Sequence, residues 1–195
     1  HTALLEVTDY ISHTMLGTTI DDAVGEAFDK VARILGLEYP GGPNVDKLAK
    51  LGKNNIKFIN HNILNGTLNF SFSGIKTAVI NYVHNLEQKK ESINIPDVCA
   101  SFQNFVVNEL TEKSLLACKK TKINKLVVAG GVSANSYLKE RLTKMCEENN
   151  ISLFMPELKL CTDNAAMIAS AGYFYALKQK GLSDLDLTGQ ATINL

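Results

Sequence analysis

At 195 residues, with 45% apolar and 21% charged side chains, the chain can bury one sizeable core and has the balance of an ordinary globular fold. Twenty basic residues match twenty acidic ones, and this zero formal charge argues against an arm-type polyanion binder while leaving local patches open. No run approaches the ~18 apolar residues of a membrane span and the first residues lack a signal-peptide layout, so a cytoplasmic protein with no membrane partner is expected.

Residues 2–7 and 10–16 alternate and read as a β-hairpin. Thr18 and Thr19 with Asp21 and Asp22 give overlapping S/T-x-x-D capping signals. The helix that follows has Val24, Ala27, Phe28, Val31 and Leu35 on one face and stops at Gly36. Tyr39-Pro40-Gly41-Gly42-Pro43 is a Gly-broken loop, with Pro43 suited to the first turn of a short helix ending at Gly52. Residues 69–72 are predicted extended, and Ser73 is a candidate cap for a helix over 75–88. Pro96 opens a helix to about Lys120 with Val98, Phe102, Phe105, Val106 and Leu110 on its core face. Strand 125–129, the Gly130-Gly131 turn, a helix from Ser133 or Asn135 to Glu148, strand 151–155 and a helix over 163–180 stopping at Gly181 complete the chain. Strand–helix–strand–helix implies a parallel pair with a crossover, hence an α/β layer whose ligands sit beyond the carboxyl ends of the strands.

Cysteines at 99, 118, 146 and 161 form no C-x-x-C pair, which speaks against structural zinc and for four reduced thiols. Histidines at 1, 13, 61 and 84 are never spaced i, i+4. The chain opens on His1 rather than Met, so it is expected to be processed or cut from something longer.

Several stretches could carry chemistry. In Gly130-Gly131-Val132-Ser133-Ala134-Asn135 the paired glycines let a ligand near the backbone, and Asn135 offers donors and an acceptor; a plain turn with an N-cap explains the same residues. Asp163 stands at a loop-to-helix junction, where it can cap the helix or ligate a cation. Asp22, Glu26 and Asp29 share the polar face of the first helix, either as a solvated face with Glu26–Lys30 and Asp29–Arg33 pairs or as acceptors for ribose hydroxyls. The small residues after Asp163 suit close packing or close ligand approach. Lys76, near a helix start, opposes the macrodipole, and an anion close by would rationalise it. Lys113, Lys119, Lys120, Lys122 and Lys125 crowd one helix end and the loop after it, either as solvated lysines compensating the dipole or as a patch for a polyanion.

Five stretches together resemble the tRNA N6-adenosine threonylcarbamoyltransferase family. They are Asp21-Asp22-Ala23-Val24-Gly25-Glu26-Ala27-Phe28-Asp29-Lys30, Tyr39-Pro40-Gly41-Gly42-Pro43, Phe70-Ser71-Phe72-Ser73-Gly74-Ile75-Lys76-Thr77, Gly130 to Asn135, and Cys161-Thr162-Asp163-Asn164-Ala165-Ala166-Met167. The resemblance implies an actin-like fold of the sugar-kinase and Hsp70 superfamily. This chain, residues 1–195, would be its second, C-terminal lobe, a mixed sheet with flanking helices; the N-terminal lobe with its H-x-x-x-H metal ligands would be absent. It also implies transfer of threonylcarbamoyl from threonylcarbamoyl-adenylate to N6 of adenosine 37 in tRNAs reading ANN codons, with this lobe inactive alone. By that resemblance Asp29, Gly42, Asp46 and Asn135 contact the nucleotide part of the substrate, and Asp163 is a ligand of one divalent ion, iron or zinc. The implied partners are tRNA, an inactive paralogue and a small P-loop ATPase. Other readings are the nucleotide-binding lobe of another actin-like ATPase or kinase, and a non-catalytic paralogue acting as a scaffold.

Overall fold

A computed structural model describes residues 1–58, 64, 66–178, 186 and 188–189; the predicted helix end at 179–180 and its stop at Gly181 lie outside the described residues. The elements run β1 (Ala3–Asp9), β2 (Ser12–Thr18), α1 (Val24–Ile34), α2 (Gly41–Ala49), α3 (Ser73–Gln88), α4 (Ile95–Thr121), β3 (Lys125–Val127), α5 (Ser136–Glu148), β4 (Ser152–Phe154) and α6 (Ala165–Lys178). Single 3-10 turns occupy Gly131–Ala134 and Leu158–Leu160.

The periodicity of α1 does what it predicts: Val24, Ala27, Phe28 and Val31 are buried, and Gly36 ends the helix at φ 71°. These side chains meet Phe70, Phe72, Ile75 and Val79 around the first half of α4, where Val98, Phe102 and Val106 are fully buried. At 27 residues α4 is about 40 Å long. It therefore reaches a second cluster, in which Val107 packs with Leu138, Leu142, Met145 and Cys146 of α5. Asn94 caps α4 by accepting from the Asp97 amide at 3.3 Å, and Pro96 sits in the first turn, where a missing N–H costs nothing. This helix is the wall shared by both clusters.

The parallel pair forms as expected, with Leu126 opposite Leu153 and α5 as the crossover. The single mixed sheet does not. Among the described residues there are two two-stranded sheets, the antiparallel β1–β2 hairpin and the parallel β3–β4 pair. Register irregularities at Leu4/Leu5 and Val7/Asp9 bend the hairpin, and it is extended only by an isolated bridge between Thr19 and Phe70. Strand β3 pairs over three residues before the chain turns at Gly130.

Three local expectations need correction. Thr18 and Thr19 do not cap α1: its N-cap is Ala23, and the Val24 amide donates instead to Thr2 Oγ1 at 2.9 Å. Lys113 does not belong to a solvated lysine patch. It is buried, with its ammonium on the carbonyl of Asn69, 3.6 Å from Glu109 and 5.6 Å from the centre of the Phe70 ring. Lys120 reaches the Gly66 carbonyl at 3.2 Å. Nor do the small residues of α6 pack: none of its residues is buried, and it meets the hairpin through Phe174 stacked on Tyr10 and an ion pair between Lys178 and Asp9.

All four cysteines are free and buried, and burial pushes the Cys99 thiol up to about 11 and raises Cys118 and Cys146 as well. Among the described residues no helix is long and apolar enough to cross a membrane.

Candidate nucleotide site

The loop from β3 into α5 is shaped by Gly130 at φ 90°, a conformation open to glycine and strained for other residues. Its carbonyl accepts from the amide and the hydroxyl of Ser133, at 3.0 and 2.6 Å, which closes the 3-10 turn. Ser133 is thus a turn former. Asn135 is the N-cap of α5, its Oδ1 accepting from the Leu138 amide at 2.9 Å. Its Nδ2 donates to Gln103 Oε1 on α4 at 2.8 Å. Gln103 is 3% exposed, and nothing in the sequence pattern singled it out.

Of the two readings open for Asp29, the solvated ion pair does not form. In place of an ion pair with Arg33, its Oδ1 accepts from the Gly41 amide at 2.8 Å, which starts α2 two residues before Pro43. Among the described residues its Oδ2 carries no hydrogen bond. A Cβ on Gly41 would stand 2.6 Å from the Ala32 Cβ and 2.7 Å from the Asp29 Cα, so α1 and α2 meet at a point where only hydrogen fits. At Gly42 a Cβ would meet nothing within 4 Å. The pair divides its work: Gly41 serves packing and Gly42 faces open space. Asp46, on α2, accepts from the Ser136 hydroxyl at 2.9 Å on each oxygen, with Lys50 at 3.4 Å.

These pieces converge. Asp29, Gly42, Asp46 and Asn135 line one cavity of about 970 Å³ together with Gly130, Gly131 and Thr162. Asp163 lines a neighbouring cavity of about 620 Å³ that shares Gly130, Gly131 and Thr162 with the first. Asp163 is not the cap of α6, because Asn164 Oδ1 accepts from the Met167 amide at 3.0 Å. Its carboxylate is exposed and has no hydrogen bond among the described residues.

Asp21 and Asp22 hold the wall behind the site. Asp21 accepts from the Phe72 and Ser73 amides at 2.8 and 3.2 Å and from the Ser71 hydroxyl at 2.5 Å. The cap of α3 therefore comes from 51 residues upstream of Phe72 rather than from Ser73. Asp22 pairs with Lys30 at 2.8 Å and Lys76 at 3.0 Å, and this is the anion that Lys76 calls for; the Glu26–Lys30 pair also forms, at 2.7 Å. The hydrogen bond from Lys30 is the main reason the Asp22 carboxyl lies below its ordinary value, with Lys76 adding to it against burial. A carboxyl depressed in the folded state stabilises the fold above its unfolded value of about 4, and that contribution is lost as acid protonates it. Asp22→Asn is expected to lower stability at neutral pH and to flatten the loss below about pH 4. Asp97, held low mainly by the Lys53 amide, keeps part of that acid limb. Melting temperatures from pH 2 to 7 check this, and parallel curves for the two proteins would refute it.

The sequence matches the profile of the tRNA N6-adenosine threonylcarbamoyltransferases over residues 1–170. The chain belongs to this family. It is 49% identical over its whole length to the tRNA N6-adenosine threonylcarbamoyltransferase of Staphylococcus haemolyticus and 50% identical to that of Clostridium botulinum strain Kyoto, and in each case covers 57% of the relative. Against the threonylcarbamoyltransferase of Clostridium perfringens the figures are 50% and 58%. The chain thus spans a little over half the length of these family members. Among solved structures, full-length HypF in a phosphate- and nucleotide-bound form overlays 83% of this chain, using 21% of its own, with TM-score 0.60 and 22% identity, a likeness of fold.

Proposed function

We propose that this chain forms the second, nucleotide-holding lobe of an actin-like enzyme that transfers threonylcarbamoyl from threonylcarbamoyl-adenylate to N6 of adenosine 37 in tRNAs reading ANN codons. The reading is carried by the meeting of Asp29, Gly42, Asp46 and Asn135 on one cavity, in a chain that matches the threonylcarbamoyltransferase family over most of its length. The cavity volume falls in the range of about 300–1,000 Å³ usual for small-molecule sites. Asp29 Oδ2 accepts a ribose hydroxyl, Gly42 leaves the backbone open to the ligand, and Asn135 donates its remaining amide hydrogen. Asp46, tied to Ser136 and Lys50, has fewer lone pairs to offer and acts as much through the shape it gives α2 as through direct contact.

The family also implies a divalent ion, iron or zinc. Among the described residues no three His, Cys, Asp or Glu side chains converge, so these residues alone do not hold a transition metal. Asp163 supplies one oxygen ligand, and the others belong to the part of the relatives' length that this chain does not span. When bound, such an ion polarises the carbamate carbonyl. The same reading has tRNA, an inactive paralogue and a small P-loop ATPase as partners, in the cytoplasm. Cells depleted of the protein are expected to lose threonylcarbamoyl-adenosine from tRNAs reading ANN codons, measured by mass spectrometry of hydrolysed tRNA. An unchanged level of that nucleoside would overturn the proposal.

A further inference from the structure

We infer that Gln103 is a positioning residue, fixing the carboxamide of Asn135 so that it meets the nucleotide as a hydrogen-bond donor. This rests on the reading of the cavity as a nucleotide site. An asparagine amide can present either its oxygen or its nitrogen to a ligand, and the choice follows from its other partners. Here the Leu138 amide makes the choice and Gln103 holds it. Asn135 Oδ1 accepts from the Leu138 amide at 2.9 Å, so Nδ2 lies on the other side, where it donates to Gln103 Oε1 at 2.8 Å. A flip would set the Leu138 amide against an NH2 group and, with Gln103 oriented as it is, bring two oxygens together. One Nδ2 hydrogen remains for a ligand, and the group it recognises is an acceptor such as a ring nitrogen or a ribose oxygen.

Gln103 suits this role because it is buried on the long rigid helix α4, with its neighbour Phe102 fully buried. A tether from a solvated side chain would cost entropy at each binding event, whereas this one is paid at folding. The alternative is that Gln103–Asn135 is only one rung of the contact between α4 and α5. The other rungs are Tyr137 to Asn104 at 2.9 Å and Arg141 to Asn108 at 3.1 Å. They provide the control.

The test is calorimetric titration of the full-length protein that carries this sequence with AMP, beside thermal melting of each variant. Gln103→Met keeps the length of the side chain and removes the acceptor, and is expected to weaken AMP about five- to tenfold, the size of one lost hydrogen bond. Gln103→Glu, which keeps an oxygen at that position, restores most of the affinity. Tyr137→Phe, which removes a rung without touching Asn135, leaves it within about twofold. In an Asn135→Ala background Gln103→Met has no further effect on AMP, because its action passes through Asn135. Equal weakening by Gln103→Met and Tyr137→Phe, or an undiminished effect of Gln103→Met in that background, overturns the positioning role while leaving the nucleotide site standing. A wild-type full-length protein that does not bind AMP overturns the reading of the cavity and the inference with it.

Discussion

Truncating Phe102 to alanine is expected to cost the fold about 3–5 kcal/mol, a large share of the ~5–15 kcal/mol that typically separates folded from unfolded chains. Phe102 is fully buried, and its ring meets that of Phe28 edge to face, with centroids 5.1 Å apart at 77°. It stands where α1, α2 and α3 close around α4, so the void left by a benzyl group is bounded by three helices that cannot all collapse into it. The contrast is Phe154, on β4, which is 52% exposed. Phe154→Ala removes the same group from a half-open site and is expected to cost about 1 kcal/mol or less. Urea midpoints at constant slope measure both. Similar losses at the two positions would mean that the α1–α4 cluster is not the main source of stability.

Much of this was legible in the sequence because it is local. The face of α1, the stop at Gly36 and the crossover between two short apolar strands follow from spacing and turn residues within a dozen positions. What was not legible depends on partners far along the chain. Asp21 reads as a cap for the helix just after it, yet it caps α3 through Phe72 and Ser73. Lys113 reads as one of several solvated lysines near a helix end; the carbonyl of Asn69, delivered by the fold, and Glu109 one turn away make its burial tolerable. Spacing left Asp29 open between an ion pair with Arg33 and a ligand-facing acceptor, and the Gly41 amide that α2 brings to it could not be foreseen. The resemblance named Asp29, Gly42, Asp46 and Asn135, which line one cavity; it gave no role to Gly41, which stands inside a quoted motif, or to Gln103, and these two hold Asp29 and Asn135 in place. Such residues carry no ligand-binding signature, because a glycine at a close crossing and a glutamine in a helix are ordinary until their contacts are known.

On the proposed reading, Asp163→Ala made in the full-length protein that carries this sequence is expected to abolish most threonylcarbamoyl transfer and to leave the fold intact. Loss of partners that merely orient a metal ligand costs about 10–100-fold, so removing a ligand itself is expected to cost at least about 100-fold. Stability is expected to change by no more than about 0.5 kcal/mol, because the carboxylate is exposed and caps nothing. Asn164→Ala gives the opposite pattern. It removes the cap on the Met167 amide, costs about 1 kcal/mol of helix stability, and is expected to reduce transfer far less. The two neighbours therefore separate metal binding from helix capping, the two roles that the sequence leaves open at this junction. Residues 1–195 alone are expected to form no product with threonylcarbamoyl-adenylate and tRNA, since Asp163, the one ligand proposed among the described residues, is too few for the ion. Product assayed by mass spectrometry, with metal content measured on the same samples, decides both points. Full transfer by the Asp163→Ala enzyme would remove Asp163 from the metal, and robust product from the 195-residue chain would remove the need for a second lobe.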